Sequence, residues 1–291
     1  KPAAMRRKMG IALASLLLMG TGIFLSQQAH AQNYPNHPVK IIVPFATGGP
    51  ADNYARFIAQ RLQENLGQSF VVDNKPGAGS VIGTDLAAKA TPDGYTLLLM
   101  SNTHTVNETL IPNKPFALMK DFVGVAPINY SDLVLVVNPT KGLNSLADVI
   151  RVAKAQPGKL DYGSGSAGYQ LMAELFNDVA GVQLFNVPFK GASEAMTAVA
   201  SGTVHMAFAD ITGASELVKG GKLRALAVAS DRRVPAVPNV PTAIEAGLPG
   251  FTAYTWVGAM VSAKTPKAET DKLASLLTAI ERLPETREFY E

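Results

Sequence analysis

The stretch KIIVPFATGGPADNYARFIAQRL, from Lys40 to Leu62, decides the fold of this chain. Its first part is rich in β-branched residues and predicts a strand, and apolar residues then recur at helical spacing from Ala55 onward. The paired glycines Gly48 and Gly49 separate the two patterns. A strand that ends in glycines and turns into a helix presents backbone N–H groups to an anion. No lysine follows these glycines, so the sequence predicts an anion cradle without a cation.

Asp52 follows the glycines and has two interpretations. A carboxylate in the first turn of a helix interacts favourably with the helix dipole and stabilises the helix by ~0.3 to 1 kcal/mol, so Asp52 can act as a cap. It can equally contact an ammonium or hydroxyl group of a ligand. The residues leave both roles open.

The same alternation of strand and helix continues along the chain and predicts an α/β fold. SFVVDN and YTLLLMS are further strands, with a turn and helix over residues 77–90 between them, which indicates a parallel sheet with right-handed crossovers. Residues 102–121 are predicted to form a loop. FVGVAPINYSDLVLVVNP, residues 122–139, is a long extended stretch that could pass from one lobe to another. The second half then repeats the alternation.

We therefore predict two α/β lobes, each a mainly parallel sheet flanked by helices, joined by two crossover strands that act as a hinge. Residues 32–130 with 251–291 form the first predicted lobe, and residues 131–250 form the second. Ligands of open α/β sheets bind beyond the carboxyl ends of the strands, so the loops after each strand are the candidate site.

The first 31 residues predict a signal peptide that is cleaved after Ala31. A positive segment begins at Met5, an apolar run extends from Ile11 to Leu25, and Ala29-His30-Ala31 fits the small-x-small cleavage rule. The alternative is a membrane anchor, but the apolar run is shorter than the ~18 residues that a spanning helix needs. The mature protein is predicted to reside in the periplasm.

Charge and cysteine content exclude several classes of protein. Residues 1–31 hold four basic and no acidic side chains, so the rest of the chain carries 22 basic against 23 acidic side chains and a formal net charge of −1. No basic run predicts a nucleic-acid face. The absence of cysteine removes disulfides, thiolate metal sites and cysteine nucleophiles.

A second Gly/Ser-rich turn, YGSGSAGYQLMAEL, lies at residues 162–175. Ser164, Ser166 and Gly168 stand between a predicted strand and a helix, where hydroxyl and N–H groups can contact an anion, or where serine simply caps the helix. A serine nucleophile is a weaker interpretation, because GxSxG requires glycine both two residues before and two residues after the serine, and neither serine meets both conditions.

Single polar residues after two other strands are further candidates. Asp210 follows VHMAFA and either faces a ligand or caps a helix, and His104 follows the LLLMS strand. The histidines are scattered without metal-ligand spacing, which predicts no metal site. Gly77-Ala78-Gly79 with Gly83 departs from GxGxxG by one residue, and no P-loop occurs, so the sequence predicts no nucleotide cofactor.

The order of these motifs resembles the extracytoplasmic receptors of tripartite tricarboxylate transporters, the Bug-type solute-binding proteins. The resemblance covers nearly the whole mature chain and is carried by VPFATGGPAD, NKPGAGSVIG, DGYTLLLMSNTHTVNETL, DFVGVAPI, PFKGASEAMTAVASGTVHMAFAD and GKLRALAVASDRRVPAVPNVPTAIEAGLPGF. It implies a type II periplasmic-binding-protein fold, a Venus flytrap. Such a monomeric receptor, without cofactor or catalysis, closes on a small carboxylate and delivers it to cognate membrane subunits.

The resemblance also implies a set of ligand-binding residues and a range of ligands. The ligand would be a di- or tricarboxylate, an acidic amino acid or an aromatic acid. Many relatives carry histidine where this chain has Gln170, which removes a charge-assisted contact at that position. The residues that the resemblance implies for binding are Phe45, Ala46, Thr47, Gly48, Gly49, Asp52, Asn102, Thr103, His104, Ser164, Ser166, Gly168 and Asp210.

Two other functions stay open on the sequence alone. A serine hydrolase would use Ser164 or Ser166 and would turn over what it binds. A sensor domain would use the same fold to signal rather than to transport.

Overall fold

The structure, a computed structural model, describes residues 34–290. The predicted signal peptide and its cleavage site lie outside these residues. Within them no helix combines the length and the apolar composition that crossing a membrane requires. The strands are β1 (Val39–Val43), β2 (Phe70–Asn74), β3 (Thr96–Ser101), β4 (Phe122–Val137), β5 (Asp161–Ser164), β6 (Phe185–Pro188), β7 (Met206–Asp210), β8 (Arg224–Val228) and β9 (Tyr254–Ser262).

Helices follow most of these strands, and a short 3₁₀ turn over Ala78–Ser80 precedes the second of them. The α-helices are α1 (Pro50–Leu66), α2 (Val81–Ala88), α3 (Asn102–Leu110), α4 (Leu118–Asp121), α5 (Leu146–Ala155), α6 (Ala167–Ala180), α7 (Ala192–Ala200), α8 (Ile211–Lys219), α9 (Lys267–Glu281) and α10 (Pro284–Tyr290).

The strands form one mixed sheet with the order β2-β1-β3-β9-β4-β7-β5-β6, and β8 also pairs with β4. Strands β1, β2 and β3 pair in parallel, as do β5, β6 and β7. Strand β4 is antiparallel to β9 over Phe122–Asp132 and to β7 over Leu133–Val137. The long strand therefore belongs to both halves of the molecule and carries the chain from one to the other.

Packing explains why the central strands are apolar throughout. Ile41 and Leu97 face a core that α1 and α9 cover, whereas Ile42 and Leu98 face a second core on the opposite side. Because both faces of β1 and β3 are covered, these strands lack the apolar–polar alternation of a half-exposed sheet. In the second half, the residues of β4 alternate between two further cores in the same way.

The α/β class and the two-lobe architecture agree with the prediction, and the predicted lobe boundaries stay predictions. The predicted loop over residues 102–121 is wrong, because it contains α3 and α4. Asparagine and threonine are weak helix formers, which hid α3. Ser145 caps α5, since its Oγ accepts a 3.1 Å hydrogen bond from the Asp148 N–H.

Candidate functional site

A cavity of about 300 Å³ lies where the carboxyl ends of the strands from both halves meet. Much of its wall is formed by the starts of five helices, that is, by their first turns or the residues just before them. These helices are α1, α3, α6, α7 and α8, and β9 contributes the remainder. The lining residues are Phe45, Ala46, Thr47, Gly49, Pro50, Ala51, Ser101, Asn102, Thr103, Gly165, Ser166, Tyr169, Gly191, Ala192, Ser193, Glu194, Thr197, Asp210, Thr255, Trp256 and Val257.

The N-terminus of α1 has no side-chain cap toward the cavity. Gly49 is the N-cap residue, and Pro50 occupies the first helical turn, where its missing N–H costs nothing. Asp52 turns back, because its Oδ2 accepts hydrogen bonds from the Gly48 N–H at 2.9 Å and from Arg56 Nε at 3.0 Å. Burial opposes ionisation, but hydrogen bonds from Arg56, Gly48 and Asn74 still hold the pKa of Asp52 below its ordinary value. The Asp52 carboxylate therefore holds the glycine loop in place through its hydrogen bond with the Gly48 N–H.

The N-terminus of α3 is capped by its own residues. Ser101 Oγ accepts from the Thr103 N–H, and His104 Nδ1 accepts a 3.1 Å hydrogen bond from the Ser101 N–H. His104 Nε2 lies 3.0 Å from Thr84 Oγ1, whose proton goes to the Ser80 carbonyl, so Nε2 carries the imidazole proton. Burial lowers the pKa of His104 to about 4. This histidine is neutral at physiological pH and supplies no cation.

Asn102 and Thr103 bring α3 against the second half of the molecule. Thr103 Oγ1 donates a 3.0 Å hydrogen bond to Ser166 Oγ and accepts a 3.3 Å hydrogen bond from the Gly168 N–H. Asn102 is buried, and its Nδ2 has no hydrogen-bond partner. A buried donor without a partner is costly, so the cavity offers an acceptor atom a favourable position next to Asn102.

Two helices of the second half also begin at the cavity without a side-chain cap. Ser166 is the N-cap of α6 and Gly191 is the N-cap of α7. Gly165 holds these two helix starts together, because a β-carbon on it would lie 2.3 Å from the Ala192 nitrogen. Only glycine permits that approach of two backbones.

Neither of the two serines that the alternative hydrolase interpretation would use is hydrogen-bonded to a base among the described residues. Ser164 Oγ donates to Asn186 Oδ1 at 2.7 Å, and Ser166 Oγ accepts from Thr103. Neither contact can remove a proton from a serine hydroxyl, so the geometry does not support nucleophilic chemistry. Among residues 34–290 no group of three or more histidine, aspartate or glutamate side chains could hold a metal ion.

Asp210 ends β7 at the floor of the cavity and is 3 % exposed. Its carboxylate accepts hydrogen bonds from the Tyr169 hydroxyl of α6 and from the Thr255 hydroxyl of β9. Burial raises the pKa of Asp210, although the hydrogen bonds from Thr255, Tyr169 and Ser131 act in the opposite direction. Burial and the nearby Asp210 charge also raise the pKa of Tyr169, so its hydroxyl stays a proton donor.

The electrostatics of the wall come from backbone dipoles rather than from cations. Among residues 34–290, the charged side chains that line the cavity are those of Asp210 and Glu194, and both are acidic. Phe45, Trp256 and Val257 supply apolar surface. A helix N-terminus carries roughly half a positive charge, so several of them together favour an anion without a lysine or arginine.

The residues predicted from the sequence divide into two groups, and their roles in ligand binding stay predictions. Phe45, Ala46, Thr47, Gly49, Asn102, Thr103, Ser166 and Asp210 line the cavity. Gly48, Asp52, His104, Ser164 and Gly168 are not among the lining residues and support those that are.

The prediction omitted the start of α7 and the β9 segment. Gly191, Ala192 and Ser193 follow β6, and their Gly-Ala-Ser pattern between strand and helix is the signal that identified the other turns. Thr255 and Trp256 lie inside a strand and carry no comparable signal. The pairing of β9 with β3 and β4 brings them to the cavity.

Comparisons with known proteins give a consistent result. The family model described as "Tripartite tricarboxylate transporter family receptor" matches residues 54–291. The chain is 38% identical to protein BugT of Bordetella pertussis over 270 residues, which is 90% of this chain and 82% of BugT.

Solved structures of similar proteins share the fold at more than 30% sequence identity. The structure of the periplasmic binding protein BugD is 32% identical with a TM-score of 0.82, covering 88% of this chain and 86% of that one. MatC from Rhodopseudomonas palustris with bound malate is 31% identical with a TM-score of 0.82, and another R. palustris protein with adipate is 31% identical with a TM-score of 0.84. Each of these two covers 88% of both chains.

Proposed function

The chain belongs to the tripartite tricarboxylate transporter receptor family, whose members are solute-binding receptors and not enzymes, and from this premise we propose that it captures a small carboxylate between its lobes. The membrane subunits of its own transporter would then receive the ligand. We propose that the receptor acts as a monomer in the periplasm after cleavage behind Ala31, without a cofactor and without binding nucleic acid.

One observation carries this proposal. In four of the helices that begin at the cavity, α1, α6, α7 and α8, the side chain of the N-cap residue accepts no hydrogen bond from the first N–H groups, and of these helices α6 has one such group, the Gly168 N–H, bonded to Thr103 instead. No cation lines the cavity among the described residues. Unpaired N–H groups at helix starts bind carboxylates. The malate and adipate in two structural neighbours support the same chemistry for this chain.

The absence of a cation suits a transport receptor. A buried ion pair between a carboxylate and arginine would be hard to break, because each partner would lose its compensating charge. Backbone dipoles bind an anion more weakly and leave water free to replace it when the lobes separate. A ligand can drive closure only by its differential affinity for the closed state.

Thermal denaturation against a panel of acids tests the proposal. The mature protein from Gln32 onward is melted with di- and tricarboxylates, acidic amino acids, aromatic acids and, as controls, neutral sugars. A ligand at a hundredfold its dissociation constant stabilises the folded state by ~2.7 kcal/mol, which a melting curve resolves. Stabilisation by an acid that is recovered unchanged supports the proposal, whereas stabilisation by sugars alone contradicts it.

A further inference from the structure

Asp210 presents an electrostatic conflict with the anion that the cavity is built to hold. It is a buried carboxyl that lines the cavity, and the side chains that contact it, Tyr169 and Thr255, are neutral. Two ionised carboxylates in one desolvated space disfavour each other, and one of the two then keeps a proton. The helix starts can stabilise the ligand, but no cation pairs with Asp210 among the described residues.

In the described part of the chain, the groups around Asp210 include no cation that would resolve this conflict. Tyr169 of α6 and Tyr54 of α1 are the titratable groups that face it, and both stay protonated because burial raises the pKa of each above its ordinary value. Ser131 of β4 and Thr255 of β9 are the other polar neighbours. Glu194, the second acid at the cavity, is exposed at the start of α7 and accepts a 2.9 Å hydrogen bond from the Lys190 N–H.

We propose, on the basis of the proposed function, that Asp210 makes binding proton-linked: when an anionic ligand enters the cavity, Asp210 takes up one proton from solvent. The neutral carboxyl then needs an acceptor for its proton. A hydroxyl oxygen of Tyr169 or Thr255 can provide one by turning its own proton away, and so can the ligand carboxylate. Asp210 is thereby a specificity-determining residue. It favours ligands that place one negative charge in the cavity and disfavours ligands that place a further negative charge near β9.

The sign of the effect follows from linkage. The bound anion raises the pKa of Asp210, because it disfavours a second negative charge. Below the pKa of the free receptor Asp210 is already neutral, and no proton is taken up. Between the pKa of the free receptor and that of the complex, binding takes up to one proton, and affinity falls by up to about tenfold per pH unit as the pH rises.

A ligand that carries an ammonium group gives the opposite expectation. Its positive charge would stabilise ionised Asp210, so its binding would take up no proton and Asp210→Asn would weaken it. The burial of Asp210 among neutral side chains favours the proton-linked alternative, because none of the side chains bonded to it compensates an ionised Asp210 next to a bound anion.

Titration calorimetry with malate and with adipate tests the proposal between pH 5 and pH 9. Each acid is titrated in pairs of buffers that differ in ionisation enthalpy, so that proton uptake is read directly. We expect a maximum uptake of about half to one proton for the wild type and none for Asp210→Asn, whose affinity at pH 8 should exceed that of the wild type. Glu194→Gln removes a negative charge from the same cavity and should keep the uptake.

The outcomes separate this inference from the proposed function. Binding of either acid without proton uptake at any pH, or with equal uptake in Asp210→Asn, overturns the inference and leaves the carboxylate receptor intact. If the wild type binds neither acid nor any other carboxylate of the panel, the proposed function is wrong and the inference falls with it. Should Asp210→Asn fold poorly, Tyr169→Phe keeps the carboxyl and must retain the uptake.

Discussion

The hydroxyl of Ser193 donates a 2.6 Å hydrogen bond to the carbonyl oxygen of Gly48, which lies 145 positions earlier in the chain. Ser193 is in the first turn of α7, and Gly48 is in the loop before α1. This single bond joins two uncapped helix starts on opposite sides of the cavity. It is therefore part of the contact between the two halves of the molecule at the cavity.

Removing this bond should weaken ligand binding by favouring separation of the lobes. We expect Ser193→Ala to raise the dissociation constant of a carboxylate by roughly fivefold, because one net hydrogen bond contributes about 1 kcal/mol. Titration calorimetry measures the change. Ser201→Ala is the matched control, since its hydroxyl bonds to the Ala198 carbonyl within the second half; equal affinities for the two variants would contradict the prediction.

Gly165 should tolerate no side chain. Its β-carbon would lie 2.3 Å from the Ala192 nitrogen and 2.5 Å from the Gly191 carbonyl carbon, and neither backbone can move without displacing α7. We expect Gly165→Ala to lower the free energy of unfolding by roughly 1–3 kcal/mol, as overpacking does. Urea denaturation measures this loss. Gly124→Ala, which meets nothing within 4 Å, should change stability little, and similar losses in both variants would refute the steric argument.

His104 should make the fold sensitive to acid. Its pKa in the folded protein is about 4, below the ordinary 6.5, so the unfolded chain binds the proton more tightly. Stability is therefore fully present above pH 6.5 and is lost as the pH falls toward 4, by about 3 kcal/mol in total. Denaturation curves across this range should show the loss in the wild type.

A variant and a spectroscopic measurement isolate that effect. His104→Asn should lack the acid-dependent loss, because asparagine can still accept the Ser101 N–H but does not titrate. His37→Gln, at an exposed position, is the control and should keep the loss. Nitrogen NMR should show His104 as the neutral tautomer protonated on Nε2 at pH 7; a charged ring at that pH would invalidate the account.

We expect Asp52 to stabilise the glycine loop and to affect the affinity for all carboxylate ligands alike. Asp52→Ala removes the acceptor of the Gly48 N–H and the partner of Arg56, so we expect a loss of roughly 1–3 kcal/mol in stability. Affinities for amino-acid and plain carboxylate ligands should fall by similar factors. Asp271→Ala removes an exposed carboxylate from a comparable i,i+4 pair with Lys267 and should cost little. A selective loss of amino-acid binding would show direct contact with the ligand.

Local patterns predicted most of the regular structure. Apolar runs with β-branched residues identified β1, β2 and β3, and glycine turns identified the starts of α1 and α6. The pattern failed for α3, where His104 takes the place that glutamate usually has in a capping box. The predicted set of binding residues also contains none from β9, because a strand's neighbours are set by pairing with distant segments.

Asp52 and Asp210 show where the sequence stops being informative. Both are aspartates at a junction of strand and helix, and by sequence each is equally a cap or a ligand contact. In the folded protein Asp52 turns back to Gly48 and Arg56, whereas Asp210 faces the cavity between Tyr169 and Thr255. Spacing and backbone geometry within a few residues were enough to predict the α/β class and the helix starts that suit an anion. The position of Asp210 at the cavity could be read only from the folded protein, because its orientation depends on Tyr169 and Thr255, which lie 41 and 45 positions away.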